Sequence, residues 1–549
     1  MAPPGINIEV AAETDTTAIT IPQPLTIAAI NKRRTASGKL IAGVAAWSDI
    51  EGFKGRTHHH HKALAKRWDH RLTKESAGRQ GNRLKEAAKF LGTPGLISLG
   101  GGLPSSEYFP FDELSVKVPT GRQFSAKDLH TSGTVITSGK HDLEEGKSLF
   151  DINTSFNYGQ GTGAAQLLRF LVEHTELVHN PPYRDWQCTM TIGSTSALDM
   201  ALRMFLNPGD YIITEEYTFS AAVETARQMG GRLLSIPIDE QGLLPDAIDE
   251  ILTSWDPAVR NARKPFLIYT VPSGQNPTGA TMSTQRRRDL YAVAQKHDLF
   301  ILEDEPYYFL QMQPYTGPNA PDAPMPATAE DFIKSLVPSL LSMDVDGRVM
   351  RMDSFSKVIA PGSRIGWITA SAQLIERYIR HADLSTQAPS GLSQLVLYKL
   401  LDEHWGHQGY LAWLLHIRAE YTHRRDVMLG ACDQYLPKDI VSWVAPAAGM
   451  FQWLKVDWTR HPSYGTKTVE EIEDAIFMTV IKKGALVMKG SYFYADDEVE
   501  HDTMYFRATY AAAPSDKIVE AVRRFGDAIR EEFGLVSNGH VTNGNGVAH

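Results

Sequence analysis

VMRMDSFSKVIAPGSRIGW, residues 349–367, brings a lysine and an arginine together after an apolar run, around a proline–glycine break. It contains Ser354, Ser356, Lys357 and Arg364. A lysine that is partly withdrawn from water and close to other cations loses proton affinity, and its amine can then attack an aldehyde. Arg364 carries a forked set of donors that suits phosphate oxygens. Taken alone, the pair is equally compatible with an ordinary surface lysine and arginine.

Short β-rich runs alternate with amphipathic stretches on both sides of this segment, between about residues 155 and 390. The predicted strands are TMTIG, YIITEE, RLLSIPI, FLIYTV, LFILEDEP and VMRMDSF. This alternation predicts an α/β fold with a mainly parallel sheet flanked by helices. In such a sheet ligands bind beyond the carboxyl ends of the strands, so the residues that follow the strands are the candidates for a site.

Polar residues of three kinds follow the predicted strands. Ser194 and Thr195 come after TMTIG, at the start of a predicted helix, where backbone N–H groups favour an anion. The turn PSGQNPTG presents Asn276 from a stiff loop. Asp304 ends an apolar strand, where a carboxylate without a cationic or protonated partner is costly to bury. Each feature alone has an ordinary explanation as a helix or strand cap.

Taken in order, these segments resemble fold-type I pyridoxal-phosphate enzymes, specifically the class I aminotransferases, over about residues 83–535. The motifs are GSTSAL, the NPTG turn at Asn276–Gly279, DEPYY at Asp304–Tyr308, SFSK ending at Lys357, and Pro-Gly-x-Arg-x-Gly ending at Gly366. One motif is a modest signal, but the ordered set is a strong one. LISLGGGLPSSEYFPF, YTVPSGQNPTG, EDEPYYFLQ and APAAGMFQWLKV are similar to the branch of fungal aromatic aminotransferases and kynurenine/aminoadipate aminotransferases.

The resemblance implies a catalytic pair and a cofactor site for pyridoxal 5'-phosphate. Lys357 holds the cofactor as a Schiff base and then moves a proton, and Asp304 keeps the pyridine nitrogen protonated. The other cofactor-binding residues that the resemblance implies are Asn276 and Tyr307 at the ring hydroxyl, Phe219 stacked on the ring, Ser194, Thr195, Ser354, Ser356 and Arg364 at the phosphate, and Tyr158 from a neighbouring subunit.

The resemblance also implies the substrate contacts. Arg507 grips the α-carboxylate with a bidentate fork, beside Asn276. Gly101, in the GGG turn, lies where backbone approaches the substrate side chain closely. Tyr158 reaches the active site of the neighbouring subunit, which implies a homodimer with active sites at the interface.

The activity that follows is transfer of an amino group from an aromatic, aminoadipate-like or kynurenine-like amino acid to 2-oxoglutarate. One alternative keeps the cofactor and changes the reaction, since similar folds catalyse eliminations, decarboxylations and cyclopropane-ring formation. Another is a transcription regulator with an aminotransferase-like domain behind a helix-turn-helix. Residues 1–80 show basic patches without a convincing helix pair, which disfavours the regulator.

Composition narrows the partners and the compartment. A net charge of −9 gives no general attraction to nucleic acid or to an acidic membrane, and no apolar run is long enough to span a bilayer. Two cysteines, Cys188 and Cys432, suit a reducing compartment. Acidic residues near the start argue against a mitochondrial presequence, so we expect a cytoplasmic protein. We expect no metal, because His58–His61 is more typical of a solvated run than of a ligand set.

Local composition, hydrophobic pattern and the resemblance together predict five parts of the chain. Residues 1–82 form a partly irregular extension and 536–549 a flexible polar tail. The large cofactor-binding domain spans 151–390. The smaller α+β domain consists of residues 391–535 and of residues 83–150, its N-terminal part. This N-terminal part includes a polar inserted loop or hairpin from about 120 to 150. A second insertion is predicted at about 313–347.

Overall fold

The computed structural model describes residues 25–37, 40, 43, 50–55, 62–83, 90, 93, 95–121, 123–317, 324–496, 499 and 501–535. The His58–His61 run and the predicted tail 536–549 lie outside these residues.

The strands are numbered in chain order. They are β1 Glu113–Val118, β2 Thr134–Gly139, β3 Trp186–Thr191, β4 Tyr211–Glu215, β5 Arg232–Ile236, β6 Ile238–Asp239, β7 Gly242–Leu243, β8 Leu267–Thr270, β9 Phe300–Asp304, β10 Val349–Ser354, β11 Gly366–Ser371, β12 Val441–Trp443, β13 Phe451–Val456, β14 Met488–Lys489 and β15 Met504–Thr509.

The helices are numbered in the same way. They are α1 Ile27–Ala36, α2 Lys74–Gly78, α3 Ala126–Ser132, α4 Ile152–Ser155, α5 Ala165–Val178, α6 Ser194–Phe205, α7 Ser220–Gln228, α8 Pro245–Thr253, α9 Pro257–Arg260, α10 Thr284–Lys296, α11 Ala329–Lys334, α12 Leu340–Met343, α13 Ala372–Ala382, α14 Gly391–Tyr398, α15 Gly406–Tyr435, α16 Val469–Lys482 and α17 Ser515–Glu532.

The central sheet has the order β3-β11-β10-β9-β8-β4-β5 and is flanked by helices. Its neighbours are parallel except around β11, which is antiparallel to β3 and β10. All six predicted strands are present, and the α/β prediction is confirmed. The strands β8 to β10 are buried along their whole length, as expected for a parallel sheet covered on both faces.

A second sheet, of order β12-β13-β15-β14, is antiparallel throughout. It packs against α16, α17 and the end of α15 around a separate core that contains Leu454, Ile472, Phe506 and Phe525. A capping box between Thr468 and Glu471 begins α16. The expected smaller α+β unit is therefore present, with its core distinct from that of the large sheet.

Two local expectations differ from the structure. The polar insertion near 120–150 is a hairpin, but its first strand already begins at Glu113. The second insertion contributes to the core as well as the surface, because Phe332 and Leu340 are fully buried.

The described part of the N-terminal extension is tied to the large domain. Trp68 is fully buried and its indole N–H donates to the carbonyl of Gly347. Arg34, on α1, pairs with Glu173 and with Asp402, both nearly buried. These contacts come from single residues in short or irregular segments, so no periodic pattern predicts them. Among the described residues, no helix has the length and apolarity needed to cross a membrane.

Candidate active site

A cavity of about 250 Å³ lies where β8, β9 and β10 end and α6 begins. Ten of the predicted site residues line it: Ser194, Thr195, Phe219, Asn276, Asp304, Tyr307, Ser354, Ser356, Lys357 and Arg364. These residues come from separate parts of the chain, and the carboxyl ends of the strands bring them to one edge of the sheet.

Lys357 follows β10 and is half-buried in this cavity. Burial lowers the pKa of its amine; the negative charge of Asp304 opposes this effect, and the charges of Arg364 and Arg507 add to it. Within the described part of the chain, its Nζ has neither a hydrogen-bond nor an ion-pair partner. The lysine is therefore a free amine that loses its proton more readily than an ordinary one.

Asp304, at the end of β9, is held by one oxygen only. The hydroxyl of Tyr269 donates to its Oδ2 at 2.9 Å, whereas its buried Oδ1 has no partner among the described residues. Burial raises the pKa of Asp304 to about 7, and the hydrogen bond from Tyr269 opposes this effect. An oriented carboxylate with one open oxygen is suited to a cationic N–H group of a ligand.

The other end of the cavity, at the start of α6, has the features of an anion-binding site. The Oγ of Ser194 is buried without a partner in the described structure, and Ser354 donates to Ser356 at 2.8 Å. Arg364 donates to the carbonyls of Ile192 and Pro361, and no described carboxylate neutralises it. An unpaired guanidinium, a helix N-terminus and several hydroxyls suit a phosphate.

Gly193 permits this arrangement. Its φ of +87° favours glycine, and a Cβ atom there would lie 2.5 Å from Nη2 of Arg364. The glycine therefore lets the arginine pack against the first turn of α6.

Arg507 lies beside the cavity, on β15. Its guanidinium carbon is 4.5 Å from the ring centroid of Phe451 and 4.6 Å from that of Phe493, and its Nη1 donates to Oδ1 of Asn276 at 2.7 Å. None of the described carboxylates pairs with it. Burial lowers its pKa, which marks it as a desolvated cation, and a ligand carboxylate would satisfy its remaining donors.

Two predicted residues lie elsewhere on this single chain. Tyr158 and Gly101 are both exposed and do not line the cavity. Their predicted roles depend on a second subunit or a bound substrate, so they stay predictions.

Several residues around the cavity were not predicted. Tyr269, Phe451 and Phe493 come from ordinary apolar strands or turns, where nothing marks them as functional. Of these three residues, only Tyr269 could have been predicted to lie at the site from the sequence. It pairs with Leu302 in register, so strand alternation places it on the same face as Asp304.

These features define a class of enzyme. The unpartnered oxygen of Asp304 can accept a hydrogen bond from a pyridine N–H, and the amine of Lys357 can react with an aldehyde. The group of donors around Ser194 and Arg364 can bind a phosphate. Pyridoxal 5'-phosphate combines these three groups in one molecule, so the residues present fit a pyridoxal-phosphate enzyme of the doubly wound type.

The chain belongs to the class I and II aminotransferases. The model of that family, described as "Aminotransferase class I and II", matches residues 128–525. The protein is a pyridoxal-phosphate-dependent aminotransferase.

Individual relatives agree with this assignment. An aromatic amino acid aminotransferase of Schizosaccharomyces pombe is 45% identical over 475 residues, which cover 86% of this chain and 99% of the relative. The mitochondrial kynurenine/alpha-aminoadipate aminotransferase of Bos taurus is 31% identical, over 84% of this chain and 99% of its own.

Solved structures lead to the same family. Aminotransferase Aro8 from Candida albicans superposes with a TM-score of 0.81 at 41% identity, over 86% of this chain and 100% of its own. The α-aminoadipate aminotransferase LysN from Thermus thermophilus, complexed with N-(5'-phosphopyridoxyl)-L-leucine, gives a TM-score of 0.57 at 25% identity, over 72% and 87%.

Proposed function

We propose that the protein transfers the amino group of an aromatic amino acid, or of a kynurenine-like or aminoadipate-like one, to 2-oxoglutarate. The observation that carries this proposal is Arg507, an unpaired guanidinium held between two phenylalanine rings beside the cavity of Lys357. A desolvated arginine fork fixes a carboxylate in one orientation, which both an amino acid and a 2-oxo acid supply. The names of the relatives support the choice of donor.

Lys357 and Asp304 perform the proton chemistry in this proposal. Lys357 would hold the cofactor covalently, and its amine, once released, would take the proton from the substrate Cα. When bound, pyridoxal phosphate draws in the electron pair left by that proton. Asp304 keeps the ring nitrogen protonated through its open Oδ1. The hydrogen bond from Tyr269 to Oδ2 holds the carboxylate in that orientation.

The remaining cavity residues bind and orient. Asn276 accepts from Arg507 with its Oδ1, which leaves its amide N–H groups for the ring hydroxyl oxygen beside Tyr307. Phe219 would stack on the cofactor ring. The phosphate would be held by residues that line the same cavity: Ser194, Thr195, Ser354, Ser356 and Arg364.

We infer further that the working unit is a homodimer with active sites at its interface, to which Tyr158 and Gly101 contribute. Apolar side chains of the segment 96–111 are unusually open to solvent in the single chain: Ile97 is 88% exposed, Leu99 96% and Tyr108 83%. Tyr158 is 62% exposed. Monomers rarely expose so many large apolar groups in one short segment. Light scattering on the holoenzyme should give twice the chain mass, and a monomeric holoenzyme that is fully active would contradict the dimer.

We place the enzyme in the cytoplasm. Both cysteines, Cys188 and Cys432, are buried free thiols, which suits a reducing compartment. Fractionation of cells that express the full chain tests this, and recovery in a sealed organelle would contradict it.

The donor class can be tested on purified holoenzyme. We expect phenylalanine, tyrosine, tryptophan, kynurenine or 2-aminoadipate to change the visible band of the cofactor, and 2-oxoglutarate to restore it. 2-Phenylethylamine is the matched control: it keeps the ring and the amine but lacks the carboxylate that Arg507 binds, so we expect no comparable change. A band that no amino acid alters would refute the proposed transamination.

A further inference from the structure

A second cavity, of about 370 Å³, lies between the two sheets of the molecule and is larger than the cavity of Lys357. Its walls come from the loop after β4, from β6, from the NPTG turn, from β12 and the loop that follows it, and from β13 and β15. The NPTG turn contributes to both cavities, with Asn276 in one and Thr278 in the other. The volume lies within the range of small-molecule sites.

The cavity is lined by the carboxyl of Glu216 and the exposed amine of Lys455, together with Asp239, which pairs with Arg286, and the exposed Glu240. Glu216 accepts one hydrogen bond, from the backbone N–H of Ile238 at 3.3 Å, and no cation of the described chain forms an ion pair with it. Burial raises the pKa of its carboxyl. Lys455 reaches over the ring of Tyr505, with Nζ 5.9 Å from the ring centroid, and no described carboxylate pairs with its amine. A ligand that carries both charges would satisfy both side chains.

Aromatic side chains form much of the remaining wall. Trp453 and Tyr505 stack with their centroids 4.9 Å apart and their planes 11° from parallel. Trp443 lines the cavity from β12, and neither its indole N–H nor that of Trp453 has an acceptor in the described structure. Such walls favour a flat apolar group, and the indole donors favour an anionic group near it.

We propose that this cavity is a second ligand site, which binds the zwitterion of an aromatic amino acid. The ammonium group meets Glu216, the carboxylate meets Lys455 and an indole N–H, and the ring packs against Trp453 and Tyr505. A purely anionic ligand such as a nucleotide would place its charge near Glu216, where it is repelled. The site lacks Lys357 and Asp304, so it binds the amino acid without reacting with it.

The test uses holoenzyme whose cofactor has first been fixed to its lysine with borohydride, so that turnover cannot consume the probe. L-Phenylalanine is then titrated by calorimetry. We expect one binding event per chain that weakens by about tenfold or more in Glu216→Gln and in Lys455→Met. Glu216→Gln keeps an oxygen for the N–H of Ile238. The matched control is Lys517→Met, an exposed lysine outside the cavity, which should change nothing.

The outcomes separate the two proposals. If borohydride fixes no cofactor, the assignment of Lys357 under the proposed function fails. If the cofactor is fixed but phenylalanine does not bind, the second site is refuted. Binding of equal strength in the wild type and both cavity variants would also refute it, because that binding would belong to Arg507.

Discussion

Lys357→Ala should abolish both the borohydride-fixed cofactor adduct and turnover. The amine of Lys357 lies in the cavity without a described partner, and burial lowers its pKa, so it is ready to act as nucleophile and base. Because the proposed mechanism has this residue both hold the cofactor and move the proton, we expect activity to fall by on the order of 10⁴-fold. Mass spectrometry of the digested, reduced protein locates the adduct, and initial rates measure the loss.

The side chain is only half-buried, so the variant should fold. The residues proposed to hold the phosphate remain in the variant, so we expect cofactor to bind without a covalent link. Lys334→Ala, which removes an exposed lysine at the end of α11, should leave the adduct and the rate unchanged. An adduct found on a different lysine, or a Lys357→Ala protein with ordinary turnover, would refute the assignment.

The sequence was sufficient to predict six of the seven strands of the large sheet, all except β11, and most of the residues that line the cavity. Motifs such as SFSK and DEPYY follow strongly apolar strands, and in a parallel sheet all such strand ends meet at one edge. That geometric rule assembles Lys357, Asp304 and Ser194 in one cavity without any knowledge of side-chain contacts.

What the sequence did not predict depends on contacts between distant segments. The strand β11 is antiparallel because residues 355–365 are too few for a crossover helix, a constraint that hydrophobic pattern alone does not express. Phe451 and Phe493 flank Arg507 only through the pairing of β13, β14 and β15. Such pairings follow from the folded register, so a single sequence gives no sign of them.

A second large effect is expected for Asp304→Asn, which keeps the shape of the side chain and removes its charge. The amide can still accept from Tyr269, but it cannot stabilise a cationic ring nitrogen at Oδ1. Loss of one such preorganised electrostatic contact should lower kcat by on the order of 10² to 10³-fold. The KM for the amino acid should change little, because the proposed carboxylate contact, Arg507, is a separate residue that the substitution leaves in place. Steady-state kinetics measure both constants, and a variant with unchanged kcat would contradict this role.

The same substitution should change how stability depends on pH in the cofactor-free protein. Burial raises the pKa of Asp304 from an ordinary 3.8 to about 7, so the folded chain keeps a proton that the unfolded chain releases between these values. The free energy of unfolding should therefore fall as pH rises from about 4 to 7, with this group contributing about 4 kcal/mol at most. Asp304→Asn removes that contribution, so denaturant unfolding at pH 5 and pH 8 should differ less in the variant than in the wild type.

Two comparisons make the pH result specific to Asp304. Asp199→Asn removes one negative charge from a partly exposed carboxylate on α6, outside the cavity and paired with Arg203, and is the matched control for the change of charge. If the cofactor's protonated ring nitrogen meets Asp304 as proposed, bound cofactor would favour the charged carboxylate and should reduce the fall in stability toward pH 8 in the wild type alone. Equal pH dependence in the wild type and Asp304→Asn, with and without cofactor, would mean that this carboxyl titrates as an ordinary one and does not meet the ring nitrogen.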